Sequence, residues 1–413
     1  MTTRDPSESS PAFSPTTQDE LRAFLVENFA RAKRPIVAVG GGTSFECRRP
    51  MREQSVRILT SGLGRVVEFA ARDMTITVEA GMSIARLDEI LRAEGLRLPI
   101  DIPQCDRATL GGAMAANASG PRRLGLGTFR DYVIGLTAIK ADGQVFHSGG
   151  RVVKNVAGYD LCKLLVGSMG TLAIVSQVAL KLKPIPEASA LVCAAFANLA
   201  DREAAVAALL TSQTRPVAMD TLNAVAVEGF EGRLRIGLPV GGPALIVGYE
   251  GTQRETDWQA VTLLKELAGF RPLGQHVLRN ADAGPLWSAL TEFAVPGEEL
   301  LFEARLLPSS DEVFESLAST EFEIVARAGN GQVFGRVRGP TGHDPGLEDK
   351  ASRLAAFVAE SGGIFRLLQN GVRQRDSLRQ SGLPEGAYAL MSRLKATFDP
   401  GNLLNPLSDV LPG

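Results

Sequence analysis

Pro35-Ile36-Val37-Ala38-Val39-Gly40-Gly41-Gly42-Thr43-Ser44 is an apolar run of strand length that ends in three glycines and two hydroxyl residues. The run predicts a short buried strand at 35–39, and the glycines predict a tight turn after it. A glycine turn leaves its backbone amides uncovered by side chains. It can therefore aim several N–H groups at a phosphate, with the Thr43 and Ser44 hydroxyls as further donors. Taken alone the pattern is more often a structural turn. Two other nucleotide motifs fail on detail. A P-loop needs Gly-Lys-Ser/Thr, whereas Gly42 is followed by Thr43-Ser44-Phe45. A Rossmann fingerprint needs Gly-x-Gly-x-x-Gly between strand and helix, and Gly329-Asn330-Gly331-Gln332-Val333-Phe334-Gly335 misses both spacing and context.

Working outward, residues 19–31 read as a first helix. Residues 75–81 alternate in the period-two pattern of a half-buried strand, with Ile76, Val78 and Ala80 on one face. Ser83 can cap a helix that carries Ile84, Leu87, Ile90 and Leu91 on one stripe and stops at Gly95. Residues 131–145 read as a hairpin around Asp142-Gly143, a type I′ signal. A further strand at 171–182 is stopped by Pro184 and Pro186, which restrict their predecessors and donate nothing to a ladder. Beyond the prolines, strand-like 191–196 and 245–250 alternate with helix-like 201–210 and 257–267, as in an α+β layer. A second hairpin at 322–337 surrounds Asn330-Gly331. Helical residues 391–398 run into the tail Asp399-Pro400-Gly401-Asn402-Leu403-Leu404-Asn405-Pro406.

The 413 residues, 45% hydrophobic and 22% charged, suffice for two or three domains with real cores. A formal net charge of -2 with mixed signs leaves no footprint for nucleic acid or an anionic membrane. No uncharged apolar stretch approaches membrane-spanning length, and residues 1–17 read as a polar, Pro/Ser-rich disordered leader, so a cytoplasmic protein is expected. Cys47, Cys105, Cys162 and Cys193 form no Cys-x-x-Cys, and His147, His276 and His343 form no pair at metal spacing. No metal is expected, and electrons leaving a redox centre here would pass to another protein or a soluble acceptor.

Two stretches carry a resemblance to a known family. Thr109-Leu110-Gly111-Gly112 leads through Asn117-Ala118-Ser119-Gly120 and Pro121-Arg122-Arg123 to Gly127, Arg130 and Asp131, and Val153-Lys154-Asn155-Val156-Ala157-Gly158-Tyr159-Asp160-Leu161 precedes Leu164-Leu165-Val166-Gly167-Ser168-Met169-Gly170-Thr171-Leu172. Together they resemble the vanillyl-alcohol-oxidase flavoproteins, whose PCMH-type domain binds FAD, and within these the FAD-binding E subunits of bacterial glycolate oxidases. The likeness is strong over about residues 35–186 and weak afterwards. It implies an α+β protein: a PCMH-type FAD-binding domain of two α/β subdomains at 18–186, an α+β cap at 187–390, and a helix and tail at 391–413 returning to the FAD domain. It implies FAD contacts at Gly40, Gly41, Gly42, Thr43, Ser44, Pro103, Thr109, Gly111, Gly112, Asn117, Gly120, Gly127 and Ile174. Thr43 stands where some relatives carry a histidine bonded covalently to flavin, so FAD is expected to be non-covalent. Met169 replaces a frequent Glu and Ala173 a frequent Gly.

Related catalytic subunits and D-lactate dehydrogenases carry a His-x-Gly-Asp-Gly-Asn-x-His hairpin and a downstream Glu-His. The matching segment here is Arg327-Ala328-Gly329-Asn330-Gly331-Gln332-Val333-Phe334, and Gly362-Gly363-Ile364-Phe365 supplies no Glu-His. No catalytic base is assigned. Arg305, Arg327, Arg336 and Arg366 are candidate carboxylate-binding cations, each expected to be solvent-exposed. Three readings follow. The first is an FAD-binding subunit of a glycolate dehydrogenase complex, beside a catalytic flavoprotein subunit and an iron-sulfur subunit, cytoplasmic or held at the inner membrane by those partners. The others are a self-sufficient FAD-dependent 2-hydroxy acid or alcohol dehydrogenase, and a non-catalytic flavin-domain scaffold.

Overall fold

The computed structural model describes residues 11–44, 54–150, 160–295, 300–307, 322–337, 345–369, 380–381 and 385–405. The motif at 153–159, Cys47, His343 and residues 1–10 of the leader lie outside the described residues. The chain forms two compact units: Met1–Ala118, Gly127–Ile185 and Pro384–Gly413 make the first, while Ser119–Leu126 and Pro186–Leu383 make the second.

The first unit holds strands β1 (Ala12–Phe13), β2 (Ile36–Val39), β3 (Val56–Leu59), β4 (Val66–Ala70), β5 (Thr75–Glu79), β6 (Leu96–Arg97), β7 (Val133–Ile139), β8 (Val145–Gly149), β9 (Ile174–Lys181) and β10 (Lys183–Pro184). They form a parallel sheet β1-β3-β2, a pair β10-β6, and an antiparallel sheet β4-β5-β9-β7-β8. The stretch read as leader is ordered over 11–17. Ala12 and Phe13 extend the β3 edge, Phe13 stacks on Phe24 at 4.5 Å between ring centroids, and Thr17 caps the helix Gln18–Glu27. Two half-buried aromatic rings stacked on each other outweigh the polar composition around them.

Ser83 caps Ile84–Arg92 as expected, and Leu87 and Leu91 enter a core built with Ile76, Val78, Leu110, Phe129 and Leu180. The hairpin turn differs from its reading. Gly143 has φ +80° while Asp142 is not in the left-handed region, and Gly143 N–H donates to Lys140 O at 3.0 Å. That is a type I turn followed by a left-handed glycine, since a type I′ turn needs positive φ at both central residues.

The second unit is one antiparallel sheet in the order β14-β11-β13-β12-β16-β17-β15-β18-β19. Its strands are β11 (Ala188–Ala195), β12 (Ala218–Leu222), β13 (Ala244–Gly251), β14 (Gly274–Arg279), β15 (Leu301–Arg305), β16 (Phe322–Arg327), β17 (Gln332–Val337), β18 (Ile364–Gln369) and β19 (Gln380–Ser381). Helices Leu199–Ala208 and Gln253–Ala268 bury Ala205, Ala260, Leu263 and Leu267 against Val192, Leu245 and Tyr249. Helix Pro345–Glu360 packs Leu354 and Val358 against Phe302, Ile324 and Phe365. Among the described residues no helix is long and apolar enough to cross a membrane.

Candidate functional site

In the first unit, the chain turns left-handed at Gly42 (φ +74°) after β2 and enters a cleft of about 710 Å3. Gly40, Gly41, Gly42, Thr43, Ser44, Gly111, Gly112 and Ile174 all line it, so residues 134 positions apart meet at one wall. The glycines act differently from the simple picture of an open turn. A Cβ on Gly40 would sit 2.0 Å from Thr109 Oγ1, and one on Gly41 only 1.6 Å from Arg107 O. Their missing side chains thus let the glycine loop lie directly on residues 107–109.

Thr109 caps helix Leu110–Ala116 by accepting from Gly112 N–H at 3.3 Å. The Leu110 and Gly111 amides donate to Met82 O at 2.9 Å and Ala80 O at 2.7 Å. The first-turn amides are therefore spent within the chain, because buried orphan donors at a helix start need acceptors. What this helix offers the cleft is small surface at Gly111, Gly112 and Ala115. The amides of Gly41, Gly42, Thr43 and Ser44 meet no acceptor among the described residues. They are the open donor set.

Asn117 ends the same helix in the left-handed conformation (φ 50°), and its buried Oδ1 has no hydrogen-bond partner among the described residues. Pro103, Gly120 and Gly127 lie outside the lining. Gly120 belongs to the segment Ser119–Leu126 of the second unit. Gly127 (φ +86°) leaves room for Asp131, whose carboxylate would stand 2.5 Å from a Cβ there and completes the Thr128 capping box.

Sequence reasoning missed Ala38, Thr60, Ala115, Ser168, Gly170, Val175 and Asn405 as lining residues. Asn405 was readable only as part of a tail. Its N–H donates to Ile36 O at 2.7 Å, its Oδ1 accepts from Ala38 N–H at 3.1 Å, and its Nδ2 donates to Met169 O. Behind it Lys395 Nζ donates to Thr171 O at 2.7 Å, Asp399 Oδ2 at 2.6 Å and Leu404 O at 2.6 Å. Burial pulls the Lys395 ammonium below the usual lysine range, against the opposing pull of Asp399. The tail thereby becomes a wall of the cleft.

The arginines of the second unit are engaged. Arg305 donates to Glu303 at 2.8 Å, and Arg366 lies 3.5 Å from the same carboxylate. Arg336 stands 3.6 Å from Glu323. Arg327 is not exposed as expected: it is 2% accessible, pairs in register with the equally buried Asp220 on β12, and lies 5.2 Å from the Phe334 ring. Among the described residues no group of His, Cys, Asp and Glu could hold a metal ion.

The cleft, with its glycine walls, open amides and uncharged lining, fits a flavin nucleotide, and the comparisons agree. Residues 11–149 match the family described as FAD binding domain, and residues 185–307 and 370–408 match FAD linked oxidases, C-terminal domain. The chain is an FAD-dependent oxidoreductase whose cofactor is FAD. More narrowly, it is an FAD-linked oxidoreductase of the two-domain type that joins a PCMH-type FAD-binding domain to the oxidase C-terminal domain. It is 26% identical to glycolate oxidase subunit GlcD of Bacillus subtilis over 95% of this chain and 87% of that protein. It is 27% identical to the mitochondrial cytochrome-type D-lactate dehydrogenase of Arabidopsis thaliana over 95% of this chain and 72% of that one. Likeness to glycolate oxidase subunit GlcE of Escherichia coli is 34% but spans only 38% of this chain and 45% of that protein. A solved alkyldihydroxyacetonephosphate synthase shares the fold with TM-score 0.69 and 17% identity, covering 96% of this chain and 75% of that one.

Proposed function

We propose that this chain is the FAD-binding subunit of a dehydrogenase complex that oxidises glycolate, or a close 2-hydroxy acid, to the 2-oxo acid, beside a catalytic flavin subunit and an iron-sulfur subunit. The observation that carries the reading is the glycine-walled, uncharged cleft with open amides at 41–44. Full-length likeness to a glycolate oxidase subunit supports the substrate class. Gly40, Gly41, Gly42, Thr43 and Ser44 would hold the diphosphate, and Thr109, Gly111, Gly112, Asn117 and Ile174 would shape the flanks, while Pro103, Gly120 and Gly127 are contacts that the resemblance alone implies. Thr43 offers no imidazole for a covalent bond, so FAD is held reversibly. The chemistry FAD supplies when bound is acceptance of a hydride from the carbon that bears the hydroxyl.

Dependence on partners is supported by the hairpin at 327–334, where Arg327 and Phe334 occupy the positions at which related catalytic subunits carry histidines. A second reading, a self-sufficient 2-hydroxy acid dehydrogenase, is favoured by the likeness to a D-lactate dehydrogenase over 95% of this chain. Absorbance of the purified, FAD-loaded chain under anaerobic conditions separates them. The subunit reading expects the flavin band to survive addition of glycolate and then D-lactate until partner subunits are added. Bleaching of the lone chain by either acid overturns it in favour of the second.

A further inference from the structure

The cleft faces a charge problem. The diphosphate of FAD carries two negative charges, yet every described residue lining the cleft is uncharged. Backbone amides supply partial charge only. The turn at 104–107 brings up a full one. Gln104 takes φ +52°, and its carbonyl accepts from Arg107 N–H at 2.9 Å and Ala108 N–H at 2.7 Å. This fixes the Arg107 carbonyl against Gly41, and it leaves Arg107 Nη2 4.0 Å from where a Cβ on Gly42 would sit. Arg107 is exposed and has no ion-pair or hydrogen-bond acceptor for its guanidinium among the described residues.

We propose that Arg107 is the cation of the FAD site: its guanidinium closes over the glycine loop and binds the diphosphate that the amides of residues 41–44 cradle from the other side. The proposal rests on the reading of this cleft as the FAD site. A planar guanidinium suits paired phosphate oxygens better than a point charge does. Its backbone is already anchored to the loop it serves, so only the side chain is ordered on binding. Arg107 also explains why the glycine loop and the 104–108 turn are packed without a gap: the contact sets the reach of the guanidinium.

The test is titration of apo-protein with FAD, followed by flavin fluorescence at low and high salt, for the parent chain, Arg107→Ala and Arg107→Lys. Arg107→Ala should weaken FAD binding roughly tenfold and flatten its salt dependence, because the screened charge is gone. Arg107→Lys should recover part of both, and the apo melting temperature should not change. Equal affinity in Arg107→Ala, or a loss with the salt slope unaltered, overturns the proposal. Ala115→Phe, which fills the cleft, separates the two layers of argument. If it leaves FAD binding intact, the cleft itself is misassigned; if it abolishes binding while Arg107→Ala does not weaken it, only the role of Arg107 falls.

Discussion

Lys395→Met should release the C-terminal tail from the first unit. The Lys395 side chain is almost wholly buried, and its ammonium joins three segments by bonds to Thr171 O, Asp399 Oδ2 and Leu404 O. Methionine matches its length and keeps the packing, so the loss isolates the polar contribution. What remains is a carboxylate at Asp399, 1% exposed, that keeps among the described residues only the 2.7 Å bond from Leu404 N–H, and two carbonyls that lose the Lys395 donor. Breaking a buried pair by removing one partner costs about 3–5 kcal/mol. That cost falls on tail docking, which otherwise rests on the Ile36–Leu403 and Asn405–Ile36 backbone bonds, the Asn405 side-chain bonds to Ala38 and Met169, and the burial of Leu403 and Leu404. Hydrogen exchange at the Leu404 and Asn405 amides is the fitting assay, since a chain of two units has no single well-defined unfolding free energy. A 3 kcal/mol loss accelerates exchange on the order of a hundredfold. Adding Asp399→Asn removes the stranded charge and should restore part of the protection. Exchange within about threefold of the parent chain, or a double variant no better protected than the single, refutes the reasoning.

Gly41→Ala places a methyl 1.6 Å from Arg107 O, so the glycine loop must leave the 104–108 turn. FAD affinity should fall about a hundredfold or more in a fluorescence titration, and affinity within about threefold of the parent contradicts the cradle geometry. Burial pushes the Glu303 carboxyl up, but the charges of Arg305 and Arg366 and the hydrogen bonds from Arg305 and Gln332 outweigh it and hold the pKa below 4.5. The unfolded chain therefore takes up this proton first as pH falls; the stabilisation is complete above about pH 5 and is lost as pH drops through the native pKa. Glu303→Gln should flatten the acid limb of second-unit stability in urea titrations, and an unchanged limb would remove Glu303 from the account. Burial pushes the Cys193 thiol up to about 12 and raises that of Cys162 as well. Both should resist alkylation at neutral pH until the chain unfolds, while exposed Cys105 reacts, as peptide mass mapping would record.

Much of the fold was readable because its signals are local. The strand at 36–39 running into glycines, the Ser83 cap and the hairpin over β7 and β8 depend on neighbours within a few residues. The errors were local properties overridden by distant ones. The polar stretch at 11–17 is ordered because Phe24 lies under Phe13, and Arg327 is buried because its strand β16 lies inside the sheet between β12 and β17. The turn at Asp142-Gly143 was misread in type because its dipeptide suits both a type I′ turn and a type I turn with a trailing left-handed glycine.

The sequence by itself determined the glycine loop and the strand that presents it, since backbone freedom and an apolar run of strand length are written into residue type and spacing, while the cofactor class came from the resemblance to a flavoprotein family. Only the tertiary structure decided what surrounds that loop. Asn405 bonds Ala38 across 367 positions and Lys395 bonds Thr171 across 224, and no periodicity or cap preference extends that far. The same holds for the helix at 110–116, whose Leu110 and Gly111 amides are taken by the Met82 and Ala80 carbonyls. Which donors stay open is settled by which acceptors packing brings close, and packing is a property of the whole folded unit.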